Sequence, residues 1–243
     1  MEKSVYKVTD IQNNFDPDLR KIIKTKKQIA IIPVGSLEQH GPHLPVSTDS
    51  DIVTEVAKRV AKKCNLLLLP TITYGVSFEH APFFNLSVTR ATLQNQLVDI
   101  CLSLGENKIR KIIILNGHHG NQKALSGITE KISKISRGRN KVFVISYWHH
   151  MSQEFDHAGF VETSLMLAVS NKVRMGLARK GLVIDKMPPK QKSKISKLAS
   201  MHFVRATKKG VWGDPTKATK KDGKMILSEI VRNITKKVSK LPY

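Results

Sequence analysis

Glu38, His40, His43, Asp49 and Asp51 all fall within one stretch, GSLEQHGPHLPVSTDSD (35–51). Its prolines and glycines mark a loop, so these side chains are not there to complete a helix face. Histidines and carboxylates recur in NGHHGN (116–121), YWHH (147–150) and DHAGFVET (156–163). Carboxylates mixed with imidazoles, without a thiolate, suit zinc, manganese or iron(II) in a reactive site rather than a structural zinc. Glu38, His40, Asp49 and His118 are the candidate ligands. An aspartate has two oxygens and can bridge two ions about 3.5–4 Å apart, the spacing of two-metal hydrolases. Any one of these histidines alone is an ordinary loop side chain; the combination points to divalent ions. His43 reads as a residue that shapes the loop.

A sheet must bring these loops together. QIAIIPVG predicts a strand over 27–35, LLLLP one over 66–70, KIIILNG one over 111–117 and KVFVISYW one over 141–148. Helical apolar spacing runs over 51–63, 90–107 and 121–136, another helix follows Gly159, and a last one starts at about 225. The proline-, lysine- and glycine-rich segment 186–224 reads as irregular structure. Strands alternating with helices imply βαβ crossovers. The expected fold is therefore α/β: a single domain over 1–243 with a mainly parallel β-sheet flanked by helices. Loops that follow parallel strands emerge at one edge, where open α/β folds place their sites. The three polar loops, 38–49, 116–121 and 147–163, should meet there.

The length of 243 residues fits one large domain, and 40% hydrophobic residues can fill its core. No run approaches the roughly 18 to 20 apolar residues of a membrane span. The opening MEKSVYKVTDIQ lacks the layout of a signal peptide. Cys64 and Cys101 have no ligand-like spacing, so a reducing cytoplasm is the expected location and no membrane partner is expected. Lysine and arginine number 41 against 19 acidic residues, a net charge of +22. The lysines concentrate towards the C-terminal third without an accompanying nucleic-acid-binding motif. A solvated basic surface is the first reading, steering of an anionic, phosphorylated substrate by residues such as Arg205, Lys208, Lys209 and Lys217 the second, and nucleic-acid binding the third.

PVGSLEQHGPHLPVSTD, YGVSFEH, NGHHGN, DHAGFVETS and GVWGDPTKAT together resemble the creatininase (creatinine amidohydrolase) family, from about residue 30 to 220. The resemblance implies a binuclear metal amidohydrolase with two divalent ions per chain (Zn, Mn or Fe(II)), assembled as a homo-oligomer such as a hexamer. By motif position Glu38 and His118 resemble ligands of one metal, His40 a ligand of the other, and Asp49 the bridge. Creatininase itself has a glutamate two residues after the motif histidine; here Gly120 stands there, leaving Glu162, or water and substrate, to fill the vacancy. His157 resembles the proton shuttle. Glu162 is either a ligand or a carboxylate that orients one. Glu79, His80 and His119 are candidate substrate contacts, as is Trp148, which is otherwise core.

What the resemblance implies chemically is attack of a metal-activated water on an amide or formamide carbonyl, with a proton passed to the leaving nitrogen. The leading expectation is deformylation of 2-amino-5-formylamino-6-ribosylaminopyrimidin-4(3H)-one 5'-monophosphate in flavin or deazaflavin synthesis. Creatinine amidohydrolase and a mycofactocin-type peptidase are the alternatives. A rival of another class is a non-catalytic, basic nucleic-acid- or partner-binding protein on the same fold. Such a protein would have no physical need for the four ligands together.

Overall fold

The computed structural model describes residues 9–25 and 28–241. Its strands are β1 (Thr9–Asp10), β2 (Ile29–Val34), β3 (Leu67–Leu68), β4 (Lys111–Asn116) and β5 (Lys141–Ser146). The helices are α1 (Asp16–Thr25), α2 (Thr48–Cys64), α3 (Arg90–Glu106), α4 (Gln122–Leu125), α5 (Ile128–Ile135), α6 (Phe160–Val169), α7 (Pro189–Ala199), α8 (Phe203–Thr207) and α9 (Lys220–Val238). The five strands pair in the order β1-β3-β2-β4-β5, every pair parallel. The expected α/β architecture is present.

Both central strands are isoleucine-rich because both of their faces are covered. Ile29 and Ile31 of β2, with Ile113 and Leu115 of β4, pack against α2, α6 and α9. Ala30, Ile32 and Val34, with Ile112 and Ile114, pack on the opposite side against α3 and α5. Each fully buried isoleucine contributes about 1.5–3 kcal/mol. The strand after β2 lies on one side of it and β4 on the other, so the order reverses between β2 and β4. A crevice opens at such a point, beyond the carboxyl ends of the strands.

Several boundaries differ from the sequence expectation. β2 starts at Ile29, and residue 27 of the expected strand lies outside the described residues. The expected strand 66–70 pairs only through Leu67 and Leu68, because Pro70 has no N–H to continue the ladder. The helix expected at 51–63 begins earlier, at Thr48, which brings Asp49 into its first turn. The helix expected over 121–136 is broken at Gly127, whose φ of +70° no helix can hold. The strand expected to 148 stops at Ser146 and gives way to a 3-10 turn over Tyr147–His150. The largest correction concerns 186–224. It contains α7, α8 and the start of α9, with Pro189 in the first turn of α7, where a missing N–H costs nothing. Among the described residues, no helix is long and apolar enough to cross a membrane.

Candidate metal centre and active site

Glu38 and His40 leave β2 on a loop held from both sides. The Glu38 N–H donates to Val46 O (3.0 Å) and the Gln39 N–H to Phe84 O (2.8 Å). Asp49, in the first turn of α2, and Glu162, in the first turn of α6, both sit where a helix N-terminus favours a carboxylate. Asp156 fixes the start of α6 by accepting from the N–H groups of Val161 (2.8 Å) and Glu162 (3.2 Å). His118 follows β4, its own N–H donated to Asn116 Oδ1 at 3.1 Å.

Three histidines share one construction. His40 Nδ1 donates to Glu38 O (3.0 Å), His118 Nε2 to Val76 O (2.9 Å) and His157 Nε2 to Gln39 O (3.0 Å). Each ring turns its other nitrogen inward. His40 Nε2 lies 3.2 Å from Asp49 Oδ1 and 3.5 Å from Glu162 Oε2. His118 Nδ1 lies 2.9 Å from Asp49 Oδ2, and His157 Nδ1 3.9 Å from Glu38 Oε1. Metal-ligating histidines have their second nitrogen tied in this way.

The carboxylates are built to match. Ser36 Oγ donates to Glu38 Oε2 (2.9 Å), and the Ala158 N–H to Glu162 Oε2 (2.7 Å). Glu38 Oε1, Asp49 Oδ2 and Glu162 Oε1 are buried without a hydrogen-bond partner. His80 Nε2 does approach Glu38 Oε1 to 3.0 Å, and His118 Nδ1 approaches Asp49 Oδ2 to 2.9 Å, but neither in hydrogen-bonding alignment. An orphaned buried oxygen is costly unless a cation meets it. Two ligand sets result, Glu38–Asp49–His118 and His40–Asp49–Glu162, each with its donor atoms within 4.8 Å of one another. They share Asp49. A third grouping, Glu38–His40–His157, overlaps both. This donor set fits a pair of divalent cations.

Electrostatics lead to the same place. Burial works against charge on His40 and His118, yet Asp49 and Glu162 beside the first, and Glu38 and Asp49 beside the second, push both up to about 10. Burial likewise opposes charge on Asp49, but His40 and His118 hold its carboxyl far below the usual range. Burial, with Asp49 and Asp156 nearby, lifts Glu162 to about 8. The cluster therefore stabilises positive charge at two separate points. His157 goes the other way: burial, then His40 and His80, depress it well below the usual imidazole value, leaving it neutral.

The sequence matches the creatininase family, described as creatinine amidohydrolase, over residues 16–238. The chain belongs to the creatininase family. Amide hydrolysis is the activity class that comes with it. The chain is 30% identical over 226 residues to the mycofactocin precursor peptide peptidase of Mycobacterium ulcerans (strain Agy99), covering 86% of this chain and 84% of that one. A shorter match, 31% identical over 113 residues, is to the 2-amino-5-formylamino-6-ribosylaminopyrimidin-4(3H)-one 5'-monophosphate deformylase of Methanosphaera stadtmanae (strain ATCC 43021 / DSM 3091 / JCM 11832 / MCB-3), covering 46% of this chain and 48% of that one. A solved creatininase with Mn superposes with a TM-score of 0.85 at 24% identity, over 98% of this chain and all of the other. A Zn-Zn creatininase mutant gives 0.81 at 23% identity, with the same coverage.

Gly120 can carry no side chain in this structure. A Cβ there would collide with Val76 O and His118 Nε2 and would stand 2.6 Å from Glu79 Oε1. Glu162 Oε2 lies 3.5 Å from His40 Nε2. A cavity of about 320 Å³ opens over the cluster, with Glu79, His80, His119 and His157 facing it. Its other wall comes from Ile184, Asp185, Ser196, Ala199, Phe203 and Trp212. Burial raises the Glu79 carboxyl. Trp148 does not line the cavity; it is buried behind Phe155 (ring centroids 4.9 Å) and His119 (6.0 Å). His43 does shape the loop, through Nε2 to Thr163 Oγ1 at 2.9 Å. Arg205, Lys208, Lys209 and Lys217 do not line this cavity, nor does any other lysine or arginine among the described residues.

Sequence reasoning missed Gln39, Asp156 and Phe203. Gln39 Nε2 lies 2.9 Å from His80 Nδ1 and 3.1 Å from His157 Nε2, and Gln39 Oε1 accepts from the Gly41 N–H at 3.0 Å. Gln39 and Asp156 each adjoin a recognised histidine, so their positions were a signal. Phe203, with its ring 4.7 Å from His80 and 4.6 Å from His157, stands in a lysine-rich context that gave none.

Proposed function

We propose that the chain is a metal-dependent hydrolase of amide or formamide C–N bonds in small molecules, with two divalent ions held by Glu38, His118 and Asp49 and by His40, Glu162 and Asp49. What carries this reading is the set of orphaned oxygens on Glu38, Asp49 and Glu162, gathered with inward-turned imidazole nitrogens in one buried cluster. Likeness to creatininases solved with Mn and as a Zn-Zn type supports manganese or zinc as the ions. Bound there, the ions supply Lewis acidity, lowering the pKa of water towards neutrality and polarising a carbonyl. His157 accepts a proton at Nδ1 and returns it to the leaving nitrogen, while its Nε2–H stays on Gln39 O and stops the ring from turning. Glu79, His80 and His119 contact the substrate.

The reaction to test first is deformylation of 2-amino-5-formylamino-6-ribosylaminopyrimidin-4(3H)-one 5'-monophosphate. Its amino-substituted ring offers N–H donors to a wall that carries Glu79, Glu154 and Asp185. Partial likeness to a deformylase supports the same choice. Cleavage of a peptide amide is the second reading, supported by the longer likeness to a peptidase. Protein loaded with Zn or Mn would be given the formylaminopyrimidine nucleotide, creatinine and short peptides. Formate release from the nucleotide supports the first reading, and peptide cleavage replaces it with the second. Oligonucleotide retention with no turnover of any amide would overturn the hydrolase.

A further inference from the structure

A second cavity, of about 510 Å³, opens on the other side of Gln39. It shares no lining residue with the cavity over the metal centre. Phe83 and Phe84 stand on it, 40% and 56% exposed, together with Arg179, Lys208 and Lys209. Gln39, Gly41, Pro42 and Val211 complete the lining.

The cations are arranged rather than scattered. Arg179 Nη1 donates to Gly176 O (3.0 Å) and Ala178 O (2.7 Å), which fixes the guanidinium while leaving its remaining donors free. Among the described residues, no carboxylate pairs with Arg179, Lys208 or Lys209. Lys208 has φ +61° and ψ −38°, outside the regions that a residue with a Cβ adopts readily. The turn is nevertheless held there by Lys208 N–H to Val204 O (2.7 Å), Lys209 N–H to Thr207 O (2.7 Å) and Gly210 N–H to Thr207 Oγ1 (3.1 Å). A backbone held in an unfavourable conformation sets Lys208 and Lys209 on the wall of a cavity that Arg179, Phe83 and Phe84 also line.

We propose that this cavity is a binding site for a small phosphorylated molecule with a planar ring, of the nucleoside monophosphate type. A phosphate monoester carries about −1.5 to −2 charge and three strong acceptor oxygens, matching three unpaired cations. A planar ring can stack on Phe83 or Phe84. The volume suits a small ligand rather than a macromolecular surface. A second copy of this chain, at net charge +22, brings the wrong sign to such a wall. The inference does not rest on the amide-hydrolase reading.

The test is equilibrium dialysis at low salt with AMP, inorganic phosphate and adenosine as probes, on the full chain loaded with Zn. AMP should bind most tightly, phosphate more weakly and adenosine weakest. Asp49→Ala should leave AMP binding within about twofold, because the site is separate from the metal centre. The double variant Lys208→Glu/Lys209→Glu should weaken AMP at least tenfold with an unchanged circular dichroism spectrum. Phe84→Ala should weaken AMP but not phosphate. Lys208→Gly should weaken AMP while melting no lower than the parent, since glycine accepts the backbone conformation without strain. Loss of AMP binding in Asp49→Ala would assign the ligand to the metal centre and overturn the proposal. So would AMP binding indifferent to the charge reversal, or the absence of AMP binding because a second copy covers Phe83 and Phe84.

Discussion

The floor and the cover of the catalytic cavity are made differently. The floor hangs from the carboxyl edge of β2 and β4, strands paired over six residues each, and its ligands are buried. The cover comes from 184–212, where short helices carry exposed lysines outward and Ser196, Ala199 and Phe203 inward. The floor is rich in charge and tightly constrained. The cover supplies shape with few polar anchors. A floor of this kind fixes which reaction occurs, whereas a cover of that kind fixes which molecule undergoes it.

Asp49→Ala strikes the floor where both ligand sets meet, and has the largest expected effect. Metal affinity should fall by at least ~100-fold and turnover with it, read by elemental analysis beside a rate assay. Full metal content in that variant would break the assignment of the floor. His157→Ala comes next. It should keep its metal and its fold, lose ~10²–10⁴ in turnover, and lose one limb of the pH–rate profile. Phe203→Ala tests the cover. Substrate KM should rise about tenfold with a smaller change in kcat and no change in metal content; an equal fall in kcat and kcat/KM would move Phe203 to the reacting end of the cavity.

The smallest effect separates the regions by pH. In metal-stripped protein, His40 and His118 are raised from 6.5 to about 10. Their contribution to stability is present below pH 6.5 and is lost as pH rises towards 10. Glu162, raised from 4.5 to about 8, adds a loss of the same sign over a lower window. The stripped protein should therefore show a Tm that declines from near neutrality to pH 10, and metal-loaded protein a flatter curve, because the ions replace those protons. Parallel curves would detach these groups from the metal centre.

The same division explains what could be read from the sequence. Glu38, His40, Asp49 and His118 were legible because strand periodicity placed their loops on one edge and their chemistry set them apart. Glu162 was legible only as an alternative, since nothing in its spacing says that a helix N-terminus will bring it to His40. The cover was not legible. Lysines on α7 hide a helix that buries little more than Ala199, with Ile195 half-buried, too short a stripe to stand out from a proline- and glycine-rich segment. Trp148 failed for a related reason: a tryptophan next to two histidines looks like a pocket wall, but the chain had already turned at Tyr147.

The acceptors that orient His40, His118 and His157 are main-chain oxygens, those of Glu38, Val76 and Gln39. Exchanging the side chain of Val76 for alanine or leucine leaves the His118 acceptor where it was. Deleting one residue between Gly75 and Ser77 does not, because every carbonyl beyond the cut then points elsewhere. The active site is thus indifferent to much of the alphabet at Val76, whose main chain alone it uses, and intolerant of any change in length there.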